Sequence, residues 1–250
     1  VEATRLMRGR STYFPTEIIQ ATAILIYSAF IFVITLVFLF MPHNWINRRR
    51  FMLNRQFGPY LVFGVDPTSV VKVCWGAKSR YGRALRKFNP QKFRVGLTKD
   101  KLLSFSDLSK LGVTAAFCET KLIYYVELAN LQPGTVYFYQ IPKNKRIHRF
   151  QTAHTCSEDV DFEFVAVSDM HGSGMPIKKT INLAKKHAPN SRFLISGGDN
   201  VSDARIITHW RTFFGQLKPL ASSIPFMSTT GNHDGEFEKM AENWEALFPY

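Results

Sequence analysis

Three short polar motifs in the last third of the chain constrain its fold more than any other feature. They are Asp169-Met170-His171, Gly198-Asp199-Asn200 and Gly231-Asn232-His233-Asp234. Each motif follows an apolar, strand-like run, over residues 162–168, 192–196 and 224–228. Helix-like patterns follow the motifs, over residues 178–187, 203–217 with Asp203 as the cap, and 236–247. This repetition predicts an α/β layered domain whose polar loops meet at the carboxyl edge of one sheet.

The side chains of these motifs predict a site for two metal ions. Carboxylate, amide oxygen and imidazole suit hard or borderline divalent metals. Two ions about 3.5–4 Å apart clamp a phosphoryl group and activate a water molecule. Asp199 lies in the middle motif and is the expected bridge between them. Asp169 and His171 are the expected ligands of the first ion, and Asn232 is the expected ligand of the second.

The last motif also offers a proton donor. We expect His233 to point away from Asn232, as in an extended segment, and to protonate the leaving oxygen or stabilise the transition state. Asp234 is expected to orient His233. Taken singly, each motif is also compatible with a polar loop, a turn or a helix N-cap. Their order, their spacing and their position after strands favour the site.

These residues resemble the calcineurin-like metallophosphoesterases, whose pattern runs Asp-x-His, Gly-Asp, Gly-Asn-His-Asp/Glu and then two later motifs that contain histidine. The resemblance covers residues 160–250, the first half of such a domain. It implies a binuclear site of iron, manganese or zinc that hydrolyses phosphate esters. It also implies that Asp169, His171, Asp199 and Asn232 are metal ligands and that His233 is the catalytic acid. The later histidines have no counterpart here, so the C-terminal part of the domain is expected to be absent.

Residues 55–155 predict a β-sandwich, because short strand-like runs alternate with turns. The runs cover residues 70–75, 92–97, 121–128, 135–141 and 148–152. The sequences at 58–61, 71–75 and 131–139 resemble the fibronectin-type domain that precedes the catalytic domain in purple acid phosphatases. An unrelated sandwich is the alternative. In the purple enzymes a tyrosine follows the bridging aspartate by three residues; here Ser202 stands there, so no purple colour is expected.

The N-terminal region predicts a membrane span. Residues 18–41 contain no charged side chain, and 24 residues of helix are about 36 Å long, which exceeds the hydrocarbon core of about 30 Å. A cleaved signal peptide has a shorter apolar region. Residues 1–17 form the N-terminal flank. The arginines on either side of the span lean toward cytoplasmic C-terminal domains, whereas the resemblance to purple acid phosphatases favours the lumenal or extracellular side.

The net charge of +13 comes partly from basic clusters at residues 48–50, 78–94 and 143–149. Few patterned aromatic residues accompany them, so nucleic-acid binding is not expected. Anionic lipid, an acidic protein or solvent alone would suit such a surface. The cysteines Cys74, Cys118 and Cys156 lack the spacing of a zinc–thiolate site.

The sequence therefore predicts a multi-domain chain: an N-terminal transmembrane helix, a fibronectin III-like β-sandwich and a partial α/β metallophosphoesterase layered sandwich. Its expected partners are a phosphoester substrate, the lipid bilayer and membrane proteins, and the 250 residues alone are expected to be nearly inactive. The competing hypothesis is a non-catalytic accessory or scaffold subunit built on a degenerate phosphatase domain. Retention of the motif residues favours the enzyme.

Overall fold

The computed structural model describes residues 16–40, 56–76, 89–171 and 175–250, with the side chains of the N-terminal helix described over 22–34. Several predictions concern residues outside these ranges. They are the greater part of the N-terminal flank, the last residue of the predicted span, the arginines around 48–55 and the basic residues from 78 to 87.

The chain divides into two compact units, Val1–Met52 and Leu53–Tyr250. Helix α1, Thr16–Phe40, belongs to the first unit. Its sequence is mainly apolar and contains no Gly or Pro, which suits a helix, and its described side chains are exposed. Within the ranges that the structure describes, no helix combines the length and the apolar character needed to cross a membrane. The span over residues 18–41 stays a prediction.

The second unit contains eleven strands among its described residues. In chain order they are β1 Phe57–Phe63, β2 Val71–Gly76, β3 Arg94–Gly96, β4 Leu103–Ser104, β5 Thr114–Glu119, β6 Ile123–Ala129, β7 Val136–Gln140, β8 His148–Gln151, β9 Glu163–Val167, β10 Ser191–Ser196 and β11 Phe226–Ser228. Two 3₁₀ segments, Pro90–Lys92 and Phe105–Leu111, lie between strands. The helices of this unit are α2 Met175–His187, α3 Ile207–Ala221, α4 Asn232–Gly235 and α5 Glu238–Leu247.

Strands β1 to β8 form two antiparallel four-stranded sheets, ordered β1-β2-β6-β5 and β4-β3-β7-β8. The two sheets pack face to face around one apolar core, to which Trp75 and Val126 contribute from the first sheet and Tyr139 and Phe150 from the second. The opposite face of the first sheet is also buried, and this explains why β1 and β2 are buried along nearly their whole length instead of alternating. This part of the chain is therefore a β-sandwich. Its assignment as a fibronectin-type domain and the boundaries 55–155 and 160–250 stay predictions.

Strands β9 to β11 form a parallel sheet in the order β11-β10-β9. Helices α3 and α5 contribute to a second apolar core that also contains Tyr60 and Ile123 from the first sheet of the sandwich. Tyr60 stacks on Phe214 of α3 with ring centroids 4.1 Å apart, and its hydroxyl donates to the Leu247 carbonyl at 2.5 Å. The sandwich and the α/β layers therefore share a core, and the α/β architecture predicted from the sequence is confirmed.

Three local predictions differ from the structure. Asp203 does not cap the helix over 203–217, because α3 begins at Ile207 and the Asp203 carboxylate binds the Arg205 side chain at 2.8 Å. The predicted helix over 236–247 starts at Glu238, after the separate turn α4. The Gly-Asn-His-Asp stretch forms that helical turn, with Gly231 as its N-cap, so the alternative of an extended segment does not apply and the alternative of a helix N-cap does.

Candidate metal centre

The three polar motifs lie at one edge of the parallel sheet, as their positions in the sequence predict. Strands β9, β10 and β11 run in the same direction, so their carboxyl ends meet. Backbone hydrogen bonds join the first two loops: Asp169 N–H donates to the Gly198 carbonyl at 3.1 Å, and His171 N–H donates to the Asp199 carbonyl at 2.9 Å. These bonds fix the first motif against the second.

Three of the predicted site residues have left-handed backbone conformations. The φ angles are 51° for Asp169, 40° for His171 and 51° for Asp199. Asp and His tolerate this region better than most residues, but such conformations cost free energy and concentrate at functional sites. Gly198, with φ 104°, provides the turn that precedes Asp199. The strain directs the first two motifs toward one point at the sheet edge.

His171, Asp199 and His233 bring one potential ligand atom each to within 4.8 Å of one another, and all three are half-buried. The two imidazole rings meet edge to face with centroids 4.7 Å apart. Asp169 lies at the rim, with Oδ1 3.9 Å from His171 Nε2. Two imidazoles and a carboxylate suit iron, manganese or zinc, so the residues present fit a divalent metal. The sequence predicts that His233 is the catalytic acid, whereas the structure shows that it is also a potential metal ligand.

Asp199 is held in place by the third motif. The backbone N–H of His233 donates to Asp199 Oδ1 at 2.8 Å. A carboxylate has about four lone-pair sites, so this bond leaves it the capacity to accept from further partners. Gly231 allows the close approach, because a Cβ there would lie 2.2 Å from Asp199 Oδ1. Asn232, the predicted amide ligand, is exposed and begins α4 next to Gly231.

The role predicted for Asp234 is corrected by the structure. His233 Nδ1 lies 2.9 Å from the Ser202 carbonyl. A carbonyl only accepts, so Nδ1 carries the hydrogen and Nε2 is the other ring nitrogen available for chemistry. Ser202 therefore orients His233, and Ser202 Oγ donates to the His171 carbonyl at 3.0 Å. One serine thus positions both histidines.

Asp234 instead belongs to a buried network around Asn200. Asn200 is fully buried, and its Nδ2 donates to Asp234 Oδ2 and to Ser228 Oγ, both at 2.8 Å. Ser196 Oγ donates to Asn200 Oδ1 at 2.8 Å. Burial raises the pKa of the Asp234 carboxyl, and the hydrogen bonds from Asn200 oppose that rise. The network joins the ends of β10 and β11 to α4 beneath the candidate metal centre.

The roles of Asn200 and Ser202 differ from what the sequence predicts. The sequence predicts a turn at Asn200, and Ser202 stands where the purple enzymes have a tyrosine. The available signal was an amide and a hydroxyl within three residues of a predicted ligand, directly after an apolar strand. Side chains in such a position must satisfy their hydrogen bonds inside the fold.

Comparisons with known proteins agree with this geometry. Residues 162–250 match the family model described as calcineurin-like phosphoesterase. Over 131 residues, or 51% of this chain, the sequence is 29% identical to purple acid phosphatase 22 of Arabidopsis thaliana. The structure of purple acid phosphatase PPD1 from seeds of yellow lupin (Lupinus luteus) is similar with a TM-score of 0.55, at 16% identity over 72% of this chain. At that identity the likeness concerns the fold alone.

The matches cover less than half the length of each relative. The chain spans 28% of the Arabidopsis protein and 36% of the lupin chain. The comparisons confirm a calcineurin-like phosphoesterase domain and a similarity to purple acid phosphatases.

Proposed function

Starting from the match of residues 162–250 to the calcineurin-like phosphoesterases, we propose that this protein is a metal-dependent phosphoesterase of the purple acid phosphatase type. The observation that carries the proposal is the half-buried group of His171, Asp199 and His233, with potential ligand atoms within 4.8 Å. Imidazole and carboxylate atoms that converge at an open sheet edge suit a metal ion.

We propose that the centre holds two ions of iron, manganese or zinc. Asp169 and His171 would hold the first, Asn232 would hold the second, and Asp199 would bridge them. When bound, such ions supply Lewis-acid stabilisation of the phosphoryl oxygens and lower the pKa of water. The hydrogen bond from His233 N–H to Asp199 Oδ1 supports the bridging role, because it fixes the carboxylate between the first and third motifs.

The chain's own contribution to proton transfer is assigned to His233. Its Nδ1–H is bound to the Ser202 carbonyl, so Nε2 is the atom that would hold the proton for the leaving oxygen. Asp234 contributes by holding the loop through Asn200 and not by contact with the ring.

We further propose that β1 to β8 are a fibronectin-type domain. The strand order supports this assignment. If the two-residue strand β4 is left out, the sheets contain the first, second, fifth and fourth strands and the third, sixth and seventh strands. Immunoglobulin-like sandwiches divide their seven strands in the same way.

We also propose that residues 18–41 anchor the protein in a membrane, with the catalytic part on the lumenal or extracellular side. The support is the absence of charged side chains across that sequence. Extraction of membranes at alkaline pH should leave the full chain in the pellet. Release into the supernatant would refute the anchor without affecting the proposed chemistry.

Metal analysis combined with a phosphatase assay tests the function. The full-length native protein should contain two equivalents of iron, manganese or zinc and hydrolyse p-nitrophenyl phosphate, and Asp199→Ala should lose both properties. Asp203→Ala is the matched control, because Asp203 lies four residues away and binds Arg205 outside the metal group. A folded protein without metal, or equal effects of the two variants, would favour the scaffold hypothesis.

A further inference from the structure

A basic cavity lies on the sandwich, at the end where β7 leads into β8. Its volume is about 450 Å³, and it is lined by Lys92, Arg94, Lys143 and Lys145 together with Gln140 and Asn144. The cavity shares no residue with the candidate metal centre. Its volume lies within the roughly 300–1,000 Å³ of small-molecule sites.

Regular structure positions the cations. Arg94 of β3 pairs in register with Gln140 of β7, so their side chains lie next to each other on the outer face of the second sheet. Lys92 ends the 3₁₀ turn that precedes β3. The turn after β7 closes with a hydrogen bond from Asn144 N–H to the Ile141 carbonyl at 3.2 Å. Four cationic side chains from three separate segments therefore face one cavity.

Among the described residues that line this cavity there is no Asp or Glu. Among the residues that the structure describes, Lys92, Arg94 and Lys145 take part in no ion pair. An ordinary solvated surface mixes the two signs of charge, whereas a concave site of one sign concentrates the field and attracts counter-ions.

Arg146 directly follows Lys145 in the chain. Burial and the charge of Arg146 lower the pKa of Lys218 on α3. Burial, Lys218 and Arg146 lower the pKa of His148 to about 4. The two cations Arg146 and Lys218 therefore raise each other's free energy.

The turn itself carries a cation in an unfavourable backbone conformation. Lys143 has φ 61°, a value at which glycine or asparagine is ordinarily found. A glycine at this position would suit the turn and would remove a charge from the cavity. The turn therefore offers a substitution that removes one cation from the cavity and suits the backbone conformation.

We propose that this cavity binds a compact polyanion bearing two or more phosphate groups. The phosphates can belong to a free polyphosphate or to the headgroup of a phosphorylated inositol lipid, which present the same chemistry to Lys and Arg. The proposal stands apart from the function of the metal centre, because the two sites share no residue.

Isothermal titration of the full-length chain with tripolyphosphate tests the proposal. An Asp199→Ala background with excess EDTA removes the metal centre as a competing phosphate site, and about 150 mM salt screens diffuse attraction. We expect saturable binding of one tripolyphosphate per chain. The double variant Lys92→Gln/Arg94→Gln should weaken it by about tenfold or more, since hydrogen bonds to charged groups are individually strong. A parallel titration with inositol 1,4,5-trisphosphate identifies the source, because tighter binding of that probe favours a lipid headgroup.

Two further variants keep the test decisive. Lys178→Gln/Lys179→Gln removes the same charge from exposed positions on α2 and should leave the affinity within about twofold, because long-range attraction is screened. Lys143→Gly should also weaken binding, because it removes one of the cations that line the cavity. Absence of saturable binding by both probes, or equal weakening by the two double variants, would overturn the proposal.

Discussion

Replacement of Gly231 by alanine should disrupt the candidate metal centre through sterics alone. The backbone at Gly231 has φ −103°, which alanine adopts without strain. Its Cβ, however, would lie 2.2 Å from Asp199 Oδ1 and 2.6 Å from the Asp199 backbone nitrogen. The carboxylate must move, and it then loses the hydrogen bond from His233 N–H.

The size of the effect follows from these two losses. A hydrogen bond to a charged group contributes about 1.5–3 kcal/mol, and forcing an extra carbon into a packed position costs about 1–3 kcal/mol. The two terms overlap, because the same movement relieves the clash and breaks the bond. We therefore expect Gly231→Ala to lower the free energy of unfolding by about 2–4 kcal/mol and to abolish metal binding.

Gly215→Ala is the matched control. Gly215 lies inside α3, and a Cβ there would meet no atom within 4 Å. The same substitution should stabilise the protein by about 0.5–1 kcal/mol, because alanine loses less backbone entropy than glycine in a helix. Thermal unfolding by circular dichroism and metal analysis measure the two variants. Equal melting temperatures and equal metal contents would refute the steric argument.

Two predictions concern the core that joins the sandwich to the α/β layers. Tyr60→Phe should lower the free energy of unfolding by about 1–3 kcal/mol, since it leaves the buried Leu247 carbonyl without its donor; an unchanged urea midpoint would contradict it. Burial and the charges of Lys218 and Arg146 lower the pKa of His148 from the ordinary 6.5 to about 4 in the folded protein. Neutral His148 therefore supports folding above pH 6.5, and that support is lost as the pH falls toward 4. His148→Phe should reduce the loss of stability between those pH values by about 2–3 kcal/mol, measured by urea unfolding, and an unchanged pH profile would contradict it.

The meeting of the motifs at one sheet edge was predictable from the sequence. Polar residues that directly follow apolar runs mark strand ends, and intervening helices require the strands to be parallel. The order of Asp169, Asp199 and Asn232 along the chain then places their loops side by side. That inference needs only periodicity and connection length, and the parallel order β11-β10-β9 confirms it.

The second layer of the site was not predictable in the same way. The residues around Asn200 and Ser202 are typical of an ordinary loop, so the sequence predicts only a turn at these positions. The role of Asn200 depends on Ser228 and Asp234, which lie 28 and 34 residues away in the chain. The role of Ser202 depends on His171 and His233, each 31 residues away. No local pattern records such a partner, so only the folded arrangement identifies it.

Strand β1 was missed for a different physical reason. Its sequence Phe57–Phe63 contains Gly58 and Pro59 and does not alternate. Proline is accepted there because β1 lies at the edge of its sheet, and alternation is absent because both faces of the strand are buried. Alternation of polar and apolar residues identifies strands that have one solvent-exposed face, and β1 has no such face.

The doubly buried first sheet also determines how the metal centre is supported. One face of that sheet packs on the second sheet, and the other packs on α3 and α5 through Tyr60 and Phe214. Helix α3 follows the Asp199 loop, and α5 follows the His233 loop, so both motifs are continuous with helices that rest on the sandwich. Movement of the sandwich face would therefore shift the two loops together. Because metal–ligand geometry tolerates displacements of only about 0.5 Å, we expect the aromatic face of the sandwich to be needed for the candidate centre in addition to its potential ligands.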